Sequence, residues 1–253
     1  MVKIGIIGGS GLDDPKILKN AKILDVKTKY GKPSSTITQG KIGNAEVFIL
    51  ARHGKGHIHS PTKVNNQANI QALKDLKVNY ILSTTACGSL TEDIERGDLV
   101  ILDQFIDFTR HRQITFHDDF SKGVKHTPMA DPFDEKLRNI LISTAKKLKY
   151  RHHNKGTVIT IEGPRFSTRA ESNMFRLLGA HVINMSIAPE AILANEFNIP
   201  YASVAISTDY DSWKLDEDPV SWDEILKNFN KKVADVKTLL IESIKSLEKV
   251  NKR

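Results

Sequence analysis

Residues 3–11 read Lys-Ile-Gly-Ile-Ile-Gly-Gly-Ser-Gly, a short apolar run that ends on a cluster of glycines. Apolar β-branched residues bounded by glycines predict a buried strand, Lys3–Gly8, entering a tight turn. The same grammar recurs along the chain. Ala45–Ala51 runs into Arg52-His53-Gly54, Tyr80–Thr84 into Thr85-Ala86-Cys87-Gly88-Ser89, and Gly156–Ile161 into Glu162-Gly163-Pro164. His181–Met185 leads to Ser186, Tyr201–Ser207 leads to Thr208-Asp209, and Leu99–Asp103 is a further strand. Between and after them lie helical patterns over Val64–Leu76 and Phe133–Leu148 and from Leu226 to Leu247. Ser221 and Glu224 have the spacing of a capping box at the start of the last one. Strands alternating with helices predict an α/β fold, a mostly parallel or mixed central sheet flanked by helices. No repeat or linker divides the chain, so residues 1–253 are read as a single domain. Chemistry is expected at the ends of the strands.

Composition narrows the function classes. The 253 residues are 40% hydrophobic, enough for a real core, which excludes wholesale disorder. The single cysteine, Cys87, excludes a disulfide framework and a cysteine-rich zinc site. Lys+Arg exceed Asp+Glu by 37 − 30 = 7, but the lysines are scattered along helical stretches rather than clustered with aromatics. This predicts a solvated surface and no nucleic-acid partner. The apolar start is too short for a membrane span and carries no cleavage site, so no membrane partner and a cytoplasmic location are expected.

Several motifs fail on inspection. A dinucleotide fingerprint needs glycine where Asp14 stands, a phosphate loop needs Gly-Lys-Ser/Thr, and a nucleophile elbow needs glycine where Leu12 stands. What survives around Gly8–Gly11 is either a tight turn or a backbone approach to a ligand, with the Ser10 hydroxyl as an added donor. After Arg52, the three histidines His53, His57 and His59 suggest a metal at first sight, but the glycines between His53 and His57 disrupt helical ligand spacing. Donors to an anion, or a structural turn, fit better. Thr85 and Ala86 at a strand end read as an oxyanion cradle. Phe166 is either a core phenylalanine or a ring that stacks on a planar ligand. Asp209 and Asp211, one residue apart, suit proton donation and the reading of a donor edge.

These segments, GGSGL, ARHGKGH, STTACGSL, TIEGPRFSTRAES, NMSIAPE and STDYDSW, occur in this order over nearly the whole chain. In them the chain resembles the trimeric purine nucleoside phosphorylases, nearest their 5′-methylthioadenosine branch. The resemblance implies a nucleoside phosphorylase/hydrolase-like fold, a homotrimer, and no metal or organic cofactor, with inorganic phosphate as a co-substrate beside the nucleoside. It implies phosphate donors at Ser10, Arg52, His53, Thr85, Ala86 and Ser186. Met185 should lie under the ribose, Phe166 and Ser167 in the base pocket, and Asp209, Tyr210 and Asp211 at the purine edge. His57 should stand beside sugar and phosphate. His126 should reach the 5′ end of a neighbouring subunit's nucleoside. Ser10 replaces the family's usual threonine. Trp222, near the 5′ substituent, stands where an aliphatic residue is usual.

The implied reaction is phosphorolysis of 5′-methylthioadenosine to adenine and 5-methylthioribose 1-phosphate, with Asp209 as general acid and Asp211 as its partner in base recognition. Carboxylates suit the 6-amino donor of adenine. A 6-oxopurine or broad-range phosphorylase is the alternative within the class, and a non-catalytic nucleoside-binding protein the alternative outside it. The segment Phe105–Pro128 lacks periodicity and reads as a long functional loop.

Overall fold

Alternation along the strands sorts the apolar residues into two layers. In Ala45–Ala51, Ala45, Val47 and Ile49 face one side while Phe48 and Leu50 face the other. Ile4 and Ile6 of the first strand likewise oppose Ile7. A strand apolar on both faces needs cover on both. The computed structural model describes residues 1–9, 15–121, 123–217 and 220–250; Ser10 lies outside these.

The elements run β1 (Lys3–Gly8), β2 (Lys19–Leu24), β3 (Ile37–Ile42), β4 (Ala45–Ala51), α1 (Asn66–Asp75), β5 (Tyr80–Ser89), β6 (Leu99–Ile101), β7 (Gln104–Phe108), α2 (Glu135–Lys147) and β8 (His152–His153). They continue with β9 (Thr157–Ile161), α3 (Arg169–Leu177), β10 (Val182–Asn184), α4 (Ile187–Glu196), β11 (Tyr201–Asp209) and α5 (Trp222–Val250). All the strands belong to one mixed sheet. Helices α2 and α5 bury Leu137, Leu141, Phe229, Val236 and Leu240 against one face; α1 and α4 bury Ile70, Leu73, Ile187 and Ala191 against the other. Leu240 is 1% exposed, and its truncation to alanine should cost about 2–5 kcal/mol.

β5 organises the site. One edge pairs in parallel with β11 from Ile81 to Gly88. On its other edge β1 pairs with residues 80–83 and β10 with Gly88 and Ser89. No described strand pairs with Thr84–Cys87 on that second edge, so backbone groups there are left for other partners. Opposite, the ladder slips between Ser207 and Asp209. This bulge at Thr208 re-aims the end of β11.

The structure departs from the sequence reading in several places. β5 continues to Ser89 and β11 to Asp209, so the Thr85 and Asp209 clusters sit within strands rather than after them. Polar residues were taken there as the end of a strand, but pairing between the two strands carries both onward. β2 and β3 were missed. β2 is almost wholly exposed, so it has no buried face to produce an alternation. Gln104–Phe108 is the edge strand β7, half-buried throughout, which also hides its period. Among the described residues of the expected loop, only those beyond Phe108 lack regular structure. Among the described residues no helix is long and apolar enough to cross a membrane. The long α5 is amphipathic, and the Glu224 N–H donates to Ser221 Oγ (3.3 Å) at its start, as the capping spacing predicts.

Candidate active site

A cleft opens beside the ends of β4, β10 and β11 and the Thr85–Gly88 stretch of β5. It has an anion end, a base end and an apolar wall.

The anion end is built on Arg52, directly after β4, whose N–H donates to the Gly8 carbonyl (3.0 Å). Its side chain is 2% exposed. Nε donates to Glu190 Oε1 (2.5 Å), Nη2 to Glu190 Oε2 (3.1 Å) and Ser83 Oγ (2.8 Å), and Nη1 to the Thr84 carbonyl (2.9 Å). A guanidinium has five N–H donors. Four are spent here, and the fifth is on Nη1, the atom nearest Gly9. The sequence reading gave the bidentate fork to phosphate; the structure gives it to Glu190, which is wholly buried in α4. Burial opposes the Arg52 charge, but the Glu190 carboxylate outweighs it and raises the pKa. Glu190 Oε2 also accepts from Ser83 Oγ (2.9 Å) and Tyr201 Oη (2.8 Å).

His53 donates Nδ1–H to the His59 carbonyl (3.0 Å). Burial first, then the charges of Arg52 and His57, push its pKa down to about 3. The neutral ring therefore has Nε2 as an acceptor, not the donor that the sequence reading assumed. His57 stacks on His53 (4.2 Å) and leans on Trp222 (5.0 Å), its backbone left-handed at φ +58°. Thr85 Oγ1 and Ser186 Oγ lie 3.3 Å apart and both line the cleft. Ser186 is the N-cap of α4, but its hydroxyl makes no capping bond. It remains available at a helix N-terminus. Ala86 lines the cleft from the stretch of β5 that no described strand pairs on the edge away from β11.

The base end is built on the bulge. Asp209 Oδ2 accepts from Thr208 Oγ1 (2.8 Å), and Oδ1 accepts from the Asp211 N–H (2.8 Å). Burial is the main cause that lifts the Asp209 pKa to about 6; Asp211 adds only a little. The like charge one residue away, which the spacing alone would suggest as a cause, is a minor one beside burial. Asp211 sits in left-handed backbone (φ +49°), and burial raises its pKa against the nearby Ser172 and Ser167 hydroxyls. Asp211 Oδ2, Ser167 Oγ and Ser172 Oγ are buried without a hydrogen-bond partner of normal geometry. A Cβ on Gly88 would stand 2.7 Å from Asp209 Oδ1, so only glycine lets that carboxylate lie across β5. Phe166 is half-buried and lines the cleft, which excludes a core role.

Met185 forms the floor. A Cβ on Gly163 would stand 2.4 Å from its Sδ, and Gly163 has φ +64°. Arg112 fixes the Met185 and Glu162 carbonyls (3.1 and 2.6 Å) and pairs with the Glu162 carboxylate (2.8 Å). Burial works against the Glu162 charge, but the Arg110 N–H, Arg112, Thr62 and the His111 N–H hold its pKa down at about 2. The apolar wall is one face of α5: Trp222, Ile225, Leu226 and Phe229.

Two expected site residues are elsewhere. Tyr210, between the two aspartates, points into the core against Trp213 (6.1 Å) and Lys214 (4.0 Å), because neighbours in extended backbone face opposite ways. His126 is exposed, packs on Phe120 (5.6 Å), and does not line this chain's cleft. Sequence reasoning missed Glu190, Thr208, Gly88 and Arg112. Glu190 had a signal: a charge inside the apolar run Ile187–Leu193 demands a buried partner. The others depend on a bulge or a crossing that only the tertiary fold creates. No group of three or more His, Cys, Asp or Glu suited to a metal occurs among the described residues.

A sequence model of the phosphorylase superfamily matches residues 3–245. An S-methyl-5′-thioadenosine phosphorylase of Xenopus tropicalis is 53% identical over 247 residues, 96% of this chain and 88% of that protein. One of Danio rerio is 52% identical over 246 residues, with the same shares. Among solved structures, methylthioadenosine phosphorylase from Schistosoma mansoni in complex with adenine is 43% identical with a TM-score of 0.93, covering 98% of this chain and 92% of that one. A mutant of that adenosine/methylthioadenosine phosphorylase in complex with methylthioadenosine is 42% identical with a TM-score of 0.92 and the same coverage. With the family matched along nearly its whole length and the cleft built at the sheet's strand ends, the chain belongs to the phosphorylase superfamily, in the family of the S-methyl-5′-thioadenosine phosphorylases.

Proposed function

We propose that this chain cleaves 5′-methylthioadenosine with inorganic phosphate, releasing adenine and 5-methylthioribose 1-phosphate. The reading rests on one opposition: a buried carboxyl, Asp209, lifted to about 6, faces across the cleft from the Arg52, Thr85, Ala86 and Ser186 cluster. As the C1′–N9 bond breaks, its electron pair goes to the purine, and Asp209 gives a proton to N7. A phosphate oxygen then bonds to C1′, and the P–OH proton that this ester loses balances the one Asp209 gave. Asp211 Oδ2, buried and without a partner, suits the 6-amino N–H of adenine. The apolar α5 face suits an alkylthio group at the 5′ position.

In this reading the enzyme is a homotrimer, and His126, exposed on a long irregular segment, completes the site of a neighbouring subunit. The nucleoside and phosphate are its partners, and no metal or cofactor takes part. Adenine and the sugar phosphate return to purine and methionine salvage. Cys87, buried and unbridged, is compatible with a cytoplasmic setting. The test is adenine release from 5′-methylthioadenosine with and without phosphate. Release only with phosphate is expected. Release without it would mean a hydrolase, and no release in either case would mean a binding protein. Mixing His126→Ala with Asp209→Asn subunits should restore activity above the sum of the two if the site is shared.

A further inference from the structure

A phosphate dianion entering this cleft meets little uncompensated positive charge. Among the described residues that line it, Arg52 is the one lysine or arginine. The two histidines are held toward neutrality by burial and by Arg52, and the other ionisable acids there are Asp209 and Asp211. The Arg52 charge is already matched by Glu190, which takes Nε and one Nη2 N–H. Glu190 also stands in the first turn of α4, whose N-cap Ser186 lines the cleft, so the same carboxylate offsets the positive end of that helix. Tyr201 and Ser83 hold Glu190 in place from the other side.

We infer that Glu190 is a positioning residue that withholds the Arg52 charge from the bound phosphate, so that the phosphate's negative charge is left for the ribosyl cation that forms as the glycosidic bond breaks. The inference rests on the reading that phosphate occupies the Arg52 end. A fully exposed guanidinium fork would bind phosphate tightly before reaction and satisfy its charge there. That uniform binding would not lower the barrier. With one N–H left to give, Arg52 orients the anion, and the strongest interaction is reserved for the transition state.

The experiment compares the wild-type enzyme with Glu190→Gln and Glu190→Asp, using inorganic phosphate alone as the probe. Phosphate affinity is read by titration calorimetry and by the rise in unfolding temperature with phosphate; turnover is read on 5′-methylthioadenosine. Glu190→Gln frees the Arg52 charge, so phosphate should bind about tenfold more tightly and raise the unfolding temperature more than in wild type, while kcat falls about tenfold. Glu190→Asp keeps the charge and should return both values toward wild type. Phosphate binding that is unchanged or weaker in Glu190→Gln, together with lower kcat, would show a purely structural role and overturn the inference. If Glu190→Gln does not fold, the wild type decides. Phosphate should bind about tenfold more tightly beside a nucleoside analogue with a protonated pyrrolidine in place of ribose than beside its neutral isostere. Equal tightening overturns the inference. Failure of the functional reading is distinct: it appears as no phosphate-dependent release of adenine by the wild type.

Discussion

The two ends of the cleft treat buried polarity in opposite ways. At the anion end the Arg52–Glu190 pair has both carboxylate oxygens and four of five guanidinium donors satisfied by protein. At the base end, Asp211 Oδ2 and the Ser167 and Ser172 hydroxyls are buried beside one another and make no hydrogen bond of normal geometry. Buried polar groups are nearly always hydrogen-bonded, and an unmade bond costs about 1–3 kcal/mol. The first end is therefore part of what holds the protein together. The second end is held ready at some expense to stability, as groups reserved for a ligand should be.

The contrast breaks most visibly at Arg52. Arg52→Ala removes the cation that Glu190 pairs with and leaves its buried carboxyl with Ser83 and Tyr201 alone, and should lower unfolding free energy by about 3–5 kcal/mol in urea titrations. A loss under about 1 kcal/mol would mean that the pair does not support the fold.

Asp209→Asn should do the reverse, lowering turnover by about 10²–10⁴-fold while the fold survives. The amide oxygen still accepts from the Asp211 N–H, and the amide N–H₂ can donate to Thr208 Oγ1, whose own proton then goes to the Cys87 carbonyl (3.1 Å). Because the native pKa is raised from 3.8 to about 6, the stability that Asp209 contributes is present below 3.8 and lost as pH rises through about 6. The stability of Asp209→Asn relative to wild type should therefore climb between pH 4 and pH 8 by roughly 1–3 kcal/mol. A flat difference would show that the carboxyl is not held against its own ionisation. The same titration predicts that wild-type kcat/KM falls as Asp209 loses its proton above about 6.

Gly88→Ala sets a Cβ 2.7 Å from Asp209 Oδ1 and 3.1 Å from Ile183 Cγ2. Turnover should fall about tenfold or more, with a stability loss of about 1–3 kcal/mol from overpacking. The smallest effects are also the sharpest comparison, one substitution made at both ends. Ser83→Ala removes a donor to Glu190 and an acceptor for Arg52 and should cost about 1–3 kcal/mol. Ser167→Ala removes a hydroxyl that makes no hydrogen bond of normal geometry and should leave stability within about 0.5 kcal/mol. Equal costs would erase the distinction between the two ends.

Much of this arrangement was legible in the chain. The strand-then-donor grammar led to β1, β4, β5, β9, β10 and β11 and, through them, to Arg52, Thr85, Ser186 and both aspartates. Roles were less legible than places. Arg52 looked like a phosphate fork because a sequence shows no partner 138 positions away, where Glu190 takes that fork. The Asp209 pKa looked like a matter of its neighbour because spacing is visible and burial is not. Tyr210 was misplaced because the letters do not reveal which way the strand faces beyond its bulge. The Thr168–Glu171 capping box, formed in full at the start of α3, has its spacing written in Thr-Arg-Ala-Glu, a signal that the sequence reading did not use.

The position of β11 bears on how the protein is made. It is the last strand in the chain, yet it lies against β5 in the interior of the sheet and carries Asp209, while Glu190 arrives just ahead of it in α4. A nascent chain that has emerged only through β9 has Arg52 and nothing to neutralise it in a closed core. Until α4 and β11 are made, Arg52 lacks its buried carboxylate partner and β5 lacks its neighbour from Ile81 to Gly88. A chain that stops before β11 therefore lacks both the strand that covers β5 and the buried Asp209 carboxyl on which the proposed cleavage depends.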